Sequence, residues 1–321
     1  MSAIPINQVR SELLDESHLD IPFLILIVSS CMIATFGLLS NSAAVIIGAM
    51  IVAPLMLPIR GLAFGALVGD TVLFKKGIIS VAIGTILAII LSFLIGWITG
   101  ISNYGSEILA RTQPNLLDLG IAVAAGGIGG YGKIESKVSN TIAGTAIAVA
   151  LMPPVCVIGL GLSQGNWLLS RGASLLYLTN LLGIALACML VFVCAGYAPL
   201  HQARKPLVIA IVLTSILLMP LGFSFSRLVQ QARLQNSVKK ALTNRTVTFQ
   251  TLELTNVNFN WLAKPPQIVL SVNAKEAVTE RQVELLEDFL SKETGQQFTL
   301  IFIISRVEEV QATRSKYSTF R

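Results

Sequence analysis

An apolar stretch broken by proline, which returns 99 positions later (140 − 41), constrains this chain more than any other feature. Residues Ser40 to Pro58 read SNSAAVIIGAMIVAPLMLP. Asn41 and Ser42 open it as N-cap residues open a helix. Gly48 loosens it, and Pro54 and Pro58 each remove a backbone donor. In lipid the carbonyls freed by such a break must find partners in protein or in a watery cavity. From Ser139 the chain reads SNTIAGTAIAVALMPP. At the one offset Asn41 meets Asn140, Ser42 meets Thr141 and Pro54 meets Pro153, and the register continues through Gly84 with Gly183, Ala88 with Ala187 and Phe93 with Phe192. Paired segments interrupted by Gly and Pro point to a membrane protein built from two repeats.

Composition agrees with a bilayer protein. Of 321 residues, 54% are hydrophobic and only 12% charged, about half the charge of a soluble domain. The net charge of +6 fits basic loops that orient membrane helices. No Lys/Arg cluster interleaved with aromatics suggests nucleic acid. Cys31, Cys156, Cys188 and Cys194 all fall in apolar segments without metal-ligand spacing, and read as small buried hydrophobes. His18 and His201 stand in polar flanks with no supporting cluster, so neither a cofactor, a metal nor an enzymatic site is expected.

The order of segments predicts a polytopic α-helical membrane protein with a small α+β soluble domain behind it. A polar segment spans residues 1–20, with a short surface helix over Asn7 to Leu19. The transmembrane domain spans 21–223: repeat one at about 21–98, repeat two at about 115–198 and a further span at 206–223. Each repeat holds three crossings, the middle one broken. Three is odd, so the two repeats are expected to insert in opposite senses. If every span crosses, Lys75, Lys76, Lys133, Lys137, Arg204 and Lys205 share one face with the N-terminus, and Arg111 and Arg171 lie on the other. That asymmetry favours crossing over re-entrant hairpins. It places the N-terminus in the cytoplasm of a cell bounded by this inner (plasma) membrane, and the soluble domain outside. The Gly126 to Gly132 run reads either as a loop or frayed helix end, or as a place of close backbone approach to a substrate or neighbouring subunit. It lacks the Lys-Ser/Thr ending of a phosphate loop. Residues 224–321 follow the order α-β-β-α-β: a helix over Arg227 to Leu242, strands over Thr246 to Leu254 and Gln267 to Val272, a helix over Thr279 to Glu293 opened by a Thr279–Gln282 capping box, and a strand over Phe298 to Ile304.

The run from Asn41 to Ile59, with its second form from Asn140 to Pro154, resembles the hydrophobic-domain family of prokaryotic membrane proteins known as domain of unknown function three-eight-nine. The likeness covers about Ile21 to Tyr197. It implies an integral membrane domain, sometimes with a soluble domain attached, and supplies no activity or catalytic residue.

Two functions remain on this reading. The first is a transporter or channel for a small solute or ion, with its site between the broken helices. Its candidate binding residues are Asn41, Ser42, Pro54, Arg60, Asn140, Thr141 and Pro153. Arg60 fits a structural ion pair and a substrate contact equally well, and Asp70 and Asp118 stand near span ends. Thr179 and Asn180 are expected to bond between helices. The second is a non-transporting scaffold or sensor whose soluble domain binds a partner or envelope component. Besides the lipid bilayer, small-residue faces suggest a second copy of the chain as a partner.

Overall fold

The computed structural model describes residues 4–100, 104–135, 151–245, 252–260, 265–274 and 279–306. Asn140 and Thr141, and with them the first part of the second broken segment, lie outside the described residues. The chain divides into two compact units, Met1–Phe225 and Ser226–Arg321.

The first unit is helical. Its elements are α1 (Ile6–Glu16), α2 (Ile21–Leu39), α3 (Ala43–Val52), α4 (Met56–Val68), α5 (Thr71–Thr99), α6 (Ser106–Ala110), α7 (Leu116–Ile134), α8 (Met152–Ser163) and α9 (Trp167–Cys194). A last helix, α10 (Leu200–Arg245), begins in this unit and runs into the next. The expected seventh span and the amphipathic helix after it are thus one element, although Pro206 and Pro220 lie inside it. Four helices among the described residues are long and apolar enough to cross a membrane: α2, α5, α9 and the Ala203–Val238 part of α10. The pair α3–α4, bent by 50°, makes a fifth if read as one span. The chain is a multi-pass membrane protein.

Contacts along α5 trace the course of the bent pair. α5 has 29 residues and so is ~44 Å long at 1.5 Å per residue. Near its start, Arg10 of α1 pairs with the α5 cap Asp70, and Ser80 Oγ donates to the Ser17 carbonyl at 2.7 Å. We refer to this as the α1 end. Gly96, near the far end of α5, accepts a hydrogen bond from Gln164 Nε2 through its carbonyl at 2.9 Å. The α2–α3 turn at Asn41 bonds there to α6, and this is the α6 end. The bent pair leaves Asn41 at the α6 end. It passes Gly84 of α5 at Leu55 and Gly77 at Pro58 and Leu62, then reaches Asp70 at the α1 end. It therefore runs along α5 from the α6 end to the α1 end.

Three local expectations are corrected. The glycine run is helix throughout, because Gly126 and Gly130 let α7 press onto α9: a methyl at Gly126 would stand 2.5 Å from the Ile184 carbonyl oxygen. The close approach is to a helix of the same chain. Thr179 bonds within its own helix, donating to the Leu175 carbonyl at 2.8 Å. The N-terminal helix is not merely a surface element, since Val9 and Leu13 are fully buried against the bundle.

The second unit carries a three-stranded sheet of order β1 (Leu252–Asn260), β2 (Gln267–Ala274), β3 (Thr299–Arg306). β1 and β2 pair antiparallel, β2 and β3 parallel. A parallel pair needs a crossover, supplied here by α11 (Glu280–Thr294). The Thr279–Gln282 capping box opens that helix. Its Leu286 and Leu290 pack on Ile268, Leu270, Val272 and Leu300, the alternate residues that a strand directs to one face. The predicted strand start at Thr246 lies outside the described residues.

Candidate functional site

The two proline breaks lie at one depth. Leu55, beside Pro54, reaches the level of Gly84, 14 residues after Asp70 and so ~21 Å into the bundle along α5. In α8, Cys156 lies level with Cys31 and Ala88, and Gly159 with Ile89 to Phe93; Ser163 reaches Gly96. Extrapolating at the same rise puts Met152 and Pro153 near the level of Gly84, midway along α5. α4 and α8 both begin at this depth. α4 runs to the α1 end and α8 to the α6 end.

Both breaks are enclosed by apolar side chains. Pro54 and Pro153 are buried, as are Leu55, Met56, Leu151, Met152 and Val155. α2 serves both segments. Ser30 Oγ donates to the Ala49 carbonyl of α3 at 2.7 Å, binding a backbone oxygen just before the break. Cys31 Sγ lies 3.7 Å from Cys156 Sγ of α8. The first turn of α8 contains Pro153 and Pro154, which carry no N–H and leave fewer orphan donors there.

The other predicted residues do not gather at this level. Asn41 takes a left-handed backbone, φ 53°, which Asn tolerates better than most residues. Its Oδ1 accepts from the Glu107 N–H at 2.9 Å and from Ser106 Oγ at 3.2 Å. It thereby caps α6, whose own N-cap position is Gly105. Ser42 occupies the N-cap position of α3, without a side-chain capping bond. Asp70 and Asp118 both open helices: Asp70 Oδ1 accepts from the Val72 and Leu73 N–H groups, and Asp118 completes a capping box with Asn115.

Arg60 lies nearer the α1 end and anchors a charge cluster that the sequence reading did not assemble. Its side chain is 9% exposed. Nη2 donates to Glu16 Oε2 at 3.0 Å and Nη1 to the Gly129 carbonyl at 3.4 Å. Lys133 of α7, also 9% exposed, bonds Glu12 Oε2 at 2.5 Å and Glu16 Oε1 at 2.8 Å. The Lys133 bond holds the Glu12 carboxyl below its ordinary range, against the opposing effect of partial burial. Arg60 Nε and Ser17 Oγ are buried with no hydrogen-bond partner among the described residues. One turn along α4 from Arg60, Phe64 meets Phe192 and Tyr197 in edge-to-face contact, and Tyr197 Oη donates to the Ile4 carbonyl at 3.0 Å. One signal in the sequence could have revealed the cluster. Val9, Glu12, Leu13 and Glu16 form an i, i+3, i+4, i+7 stripe, so the carboxylates of α1 share its buried face.

Basic residues divide between the two ends. Lys75, Lys76 and Lys133 lie towards the α1 end. Arg111 follows α6, and Arg171 adjoins Gly172, which touches Thr112. Among the described residues no group of three His, Cys, Asp or Glu side chains could hold a metal.

Comparison with known proteins follows the two breaks. Residues 50–186, from the end of α3 into α9, match the family described as "Domain of unknown function (DUF389)". The chain is 31% identical over 218 residues to "Uncharacterized protein MJ0678" of Methanocaldococcus jannaschii, covering 65% of this chain and 68% of that protein. Pro54 and Pro153 both lie inside the family match, and the chain belongs to the DUF389 family.

Proposed function

We propose that the protein is a transporter or channel for a small solute or ion, built from two inverted repeats whose half-helices start together at mid-membrane. One observation carries this reading: α4 and α8 begin at proline breaks of equal depth and run to opposite ends of the bundle. Aligned peptide dipoles make each helix start partly positive, so two starts at mid-depth favour a negatively charged group there. Pro54, Pro153 and the backbone beside them line the central part of the path. Arg60 stands nearer its α1-end mouth, and Asn41, Ser42, Asn140 and Thr141 belong to the segments leading to the breaks. The basic residues of the α1 end put that end in the cytoplasm. The exposed apolar face of α3, with Val45, Ile47 and Ile51 around the open Gly48, suits lipid or a second copy of the chain.

The test is flux in proteoliposomes. The wild type should carry a small anion. Met152→Trp, which fills the level of the break, should abolish flux while leaving the protein folded. A correctly inserted wild type that carries none of a broad panel of anions, cations and neutral solutes overturns the proposal.

The enclosed packing at both breaks favours the second reading, a scaffold or sensor. So does the exposure of Ile301 and Ile303 on β3, which leaves an apolar face for a partner. Absence of flux together with a protein retained specifically on the isolated chain would support it.

A further inference from the structure

The cluster under α1 is asymmetric in a way that points to a ligand. Its two cations come from the transmembrane bundle and are nearly buried, each 9% exposed. Its two carboxylates come from the N-terminal helix and are far more open: Glu12 is 43% and Glu16 26% exposed. A buried cation without an anion is costly, so with α1 docked Arg60 and Lys133 need a negative group, and with α1 away they are left as two adjacent cations open to an anion from outside. Glu16 also uses only part of what Arg60 offers. One guanidinium nitrogen reaches Glu16 and another the Gly129 carbonyl, while Nε, a buried donor, has no partner. A planar fork of donors beside an ammonium matches a tetrahedral or planar oxyanion better than a single carboxylate oxygen.

We infer that Arg60 and Lys133 form a binding site for an oxyanion, a phosphate- or carboxylate-bearing group, and that Glu12 and Glu16 of α1 occupy it as a built-in competitor. Binding of the anion displaces the carboxylates and lifts α1, and docking of α1 expels the anion. The site lies at the level of Gly77, since Pro58 and Leu62 on either side of Arg60 contact that residue. It therefore sits about 10 Å along α5 from Asp70, on the α1 side of the bundle's middle and directly beneath α1, and a displaced α1 opens it to an aqueous anion or a lipid headgroup. The inference rests on the transport reading only for what the anion does next. Binding can be measured without flux, so a protein that binds but carries nothing would refute transport and leave this site standing.

The experiment uses the full chain in nanodiscs, with trypsin cleavage after Arg10 as the report of α1 leaving the bundle, because a docked helix is protected. Inorganic phosphate should raise the cleavage rate several-fold over chloride at matched ionic strength. If the rate instead follows the phosphatidylglycerol content of the disc, the oxyanion is a lipid headgroup. In Glu12→Gln with Glu16→Gln, cleavage should be fast without phosphate, and half-saturation by phosphate, read from the thermal shift, should fall at least about tenfold, which is ~1.4 kcal/mol of removed competition. Lys133→Gln should erase the phosphate response. The wild-type comparison needs no variant, so a variant that fails to fold leaves the test intact. Equal cleavage in phosphate, in chloride and at every phosphatidylglycerol content overturns the inference, as does a phosphate response that survives loss of Lys133.

Discussion

The two half-helices begin alike and are held differently. α8 is set in place by backbone proximity. Its residues Met152 to Gly161 are all buried, and a methyl at Gly159 would come within 2.5 Å of the Ile89 carbonyl oxygen and 2.8 Å of the Phe93 nitrogen. α4 also meets α5 through its backbone, a methyl at Gly65 standing 2.6 Å from the Phe74 nitrogen, but unlike α8 it carries the charge cluster that reaches it from α1, while α3, leading into it, is largely exposed with only Ile46 and Ala49 buried. Contacts between backbones cannot be undone by solutes, whereas ion pairs beneath α1 can. The difference leaves α1, with the ion pairs it brings to α4, as the part a solute can loosen, while α4 and α8 are both seated closely against α5.

The largest effect on this contrast is expected on the α4 side. Lys133→Met leaves Glu16 with Arg60 and, among the described residues, Glu12 with only Gln8, and removing one partner from a part-buried ion network costs ~3 kcal/mol. Unfolding in mixed micelles should read that loss, and Lys133→Arg should recover much of it. On the α8 side, Gly159→Val should cost ~2–3 kcal/mol by overpacking against backbone that cannot move aside. If both substitutions prove neutral, the contrast is wrong.

A smaller effect separates the cap from the core. Asn41→Ala removes the acceptor for α6 and should cost ~1 kcal/mol, with Asn41→Asp close to wild type. Acid should loosen α1 without touching α8. The Glu12 carboxyl is held below its ordinary 4.5, first by its bond from Lys133. Its contribution is therefore complete above that ordinary value and is lost as pH falls through the lowered one. Cleavage after Arg10 should rise over that acidic window, measured with an acid-tolerant protease. The least effect belongs to Gly48→Ala. A methyl there meets nothing within 4 Å, and Ala favours helix over Gly by ~1 kcal/mol, so stability should rise slightly.

Much of this architecture could be read from residue order. Pro54 and Pro153 mark the breaks because proline's missing donor acts locally, and Thr279 with Gln282 marks a helix start for the same local reason. The misreadings arose where a distant partner decides the outcome. Gly126 to Gly132 looks like a loop by propensity, and only the closeness of α9 makes it helix. Arg60 could be named, yet its companions stand 44 and 73 positions away at Glu16 and Lys133 (60 − 16 and 133 − 60). Charge pairing across such separations leaves no periodic trace apart from the carboxylates on the buried stripe of α1. Asn41 was read as a helix opener in its own segment, and its carbonyl is spent on another helix 65 residues on.

The most direct measurement is the sidedness of the broken segment. Ala43→Cys and Thr71→Cys, each in a chain whose native cysteines are replaced, would be labelled with a membrane-impermeant maleimide in sealed vesicles of one orientation. A segment that crosses places the two labels on opposite sides of the membrane. Labelling of both from the same side would mean that the chain turns back at Pro54, and the pairing of opposed half-helices would fall with it.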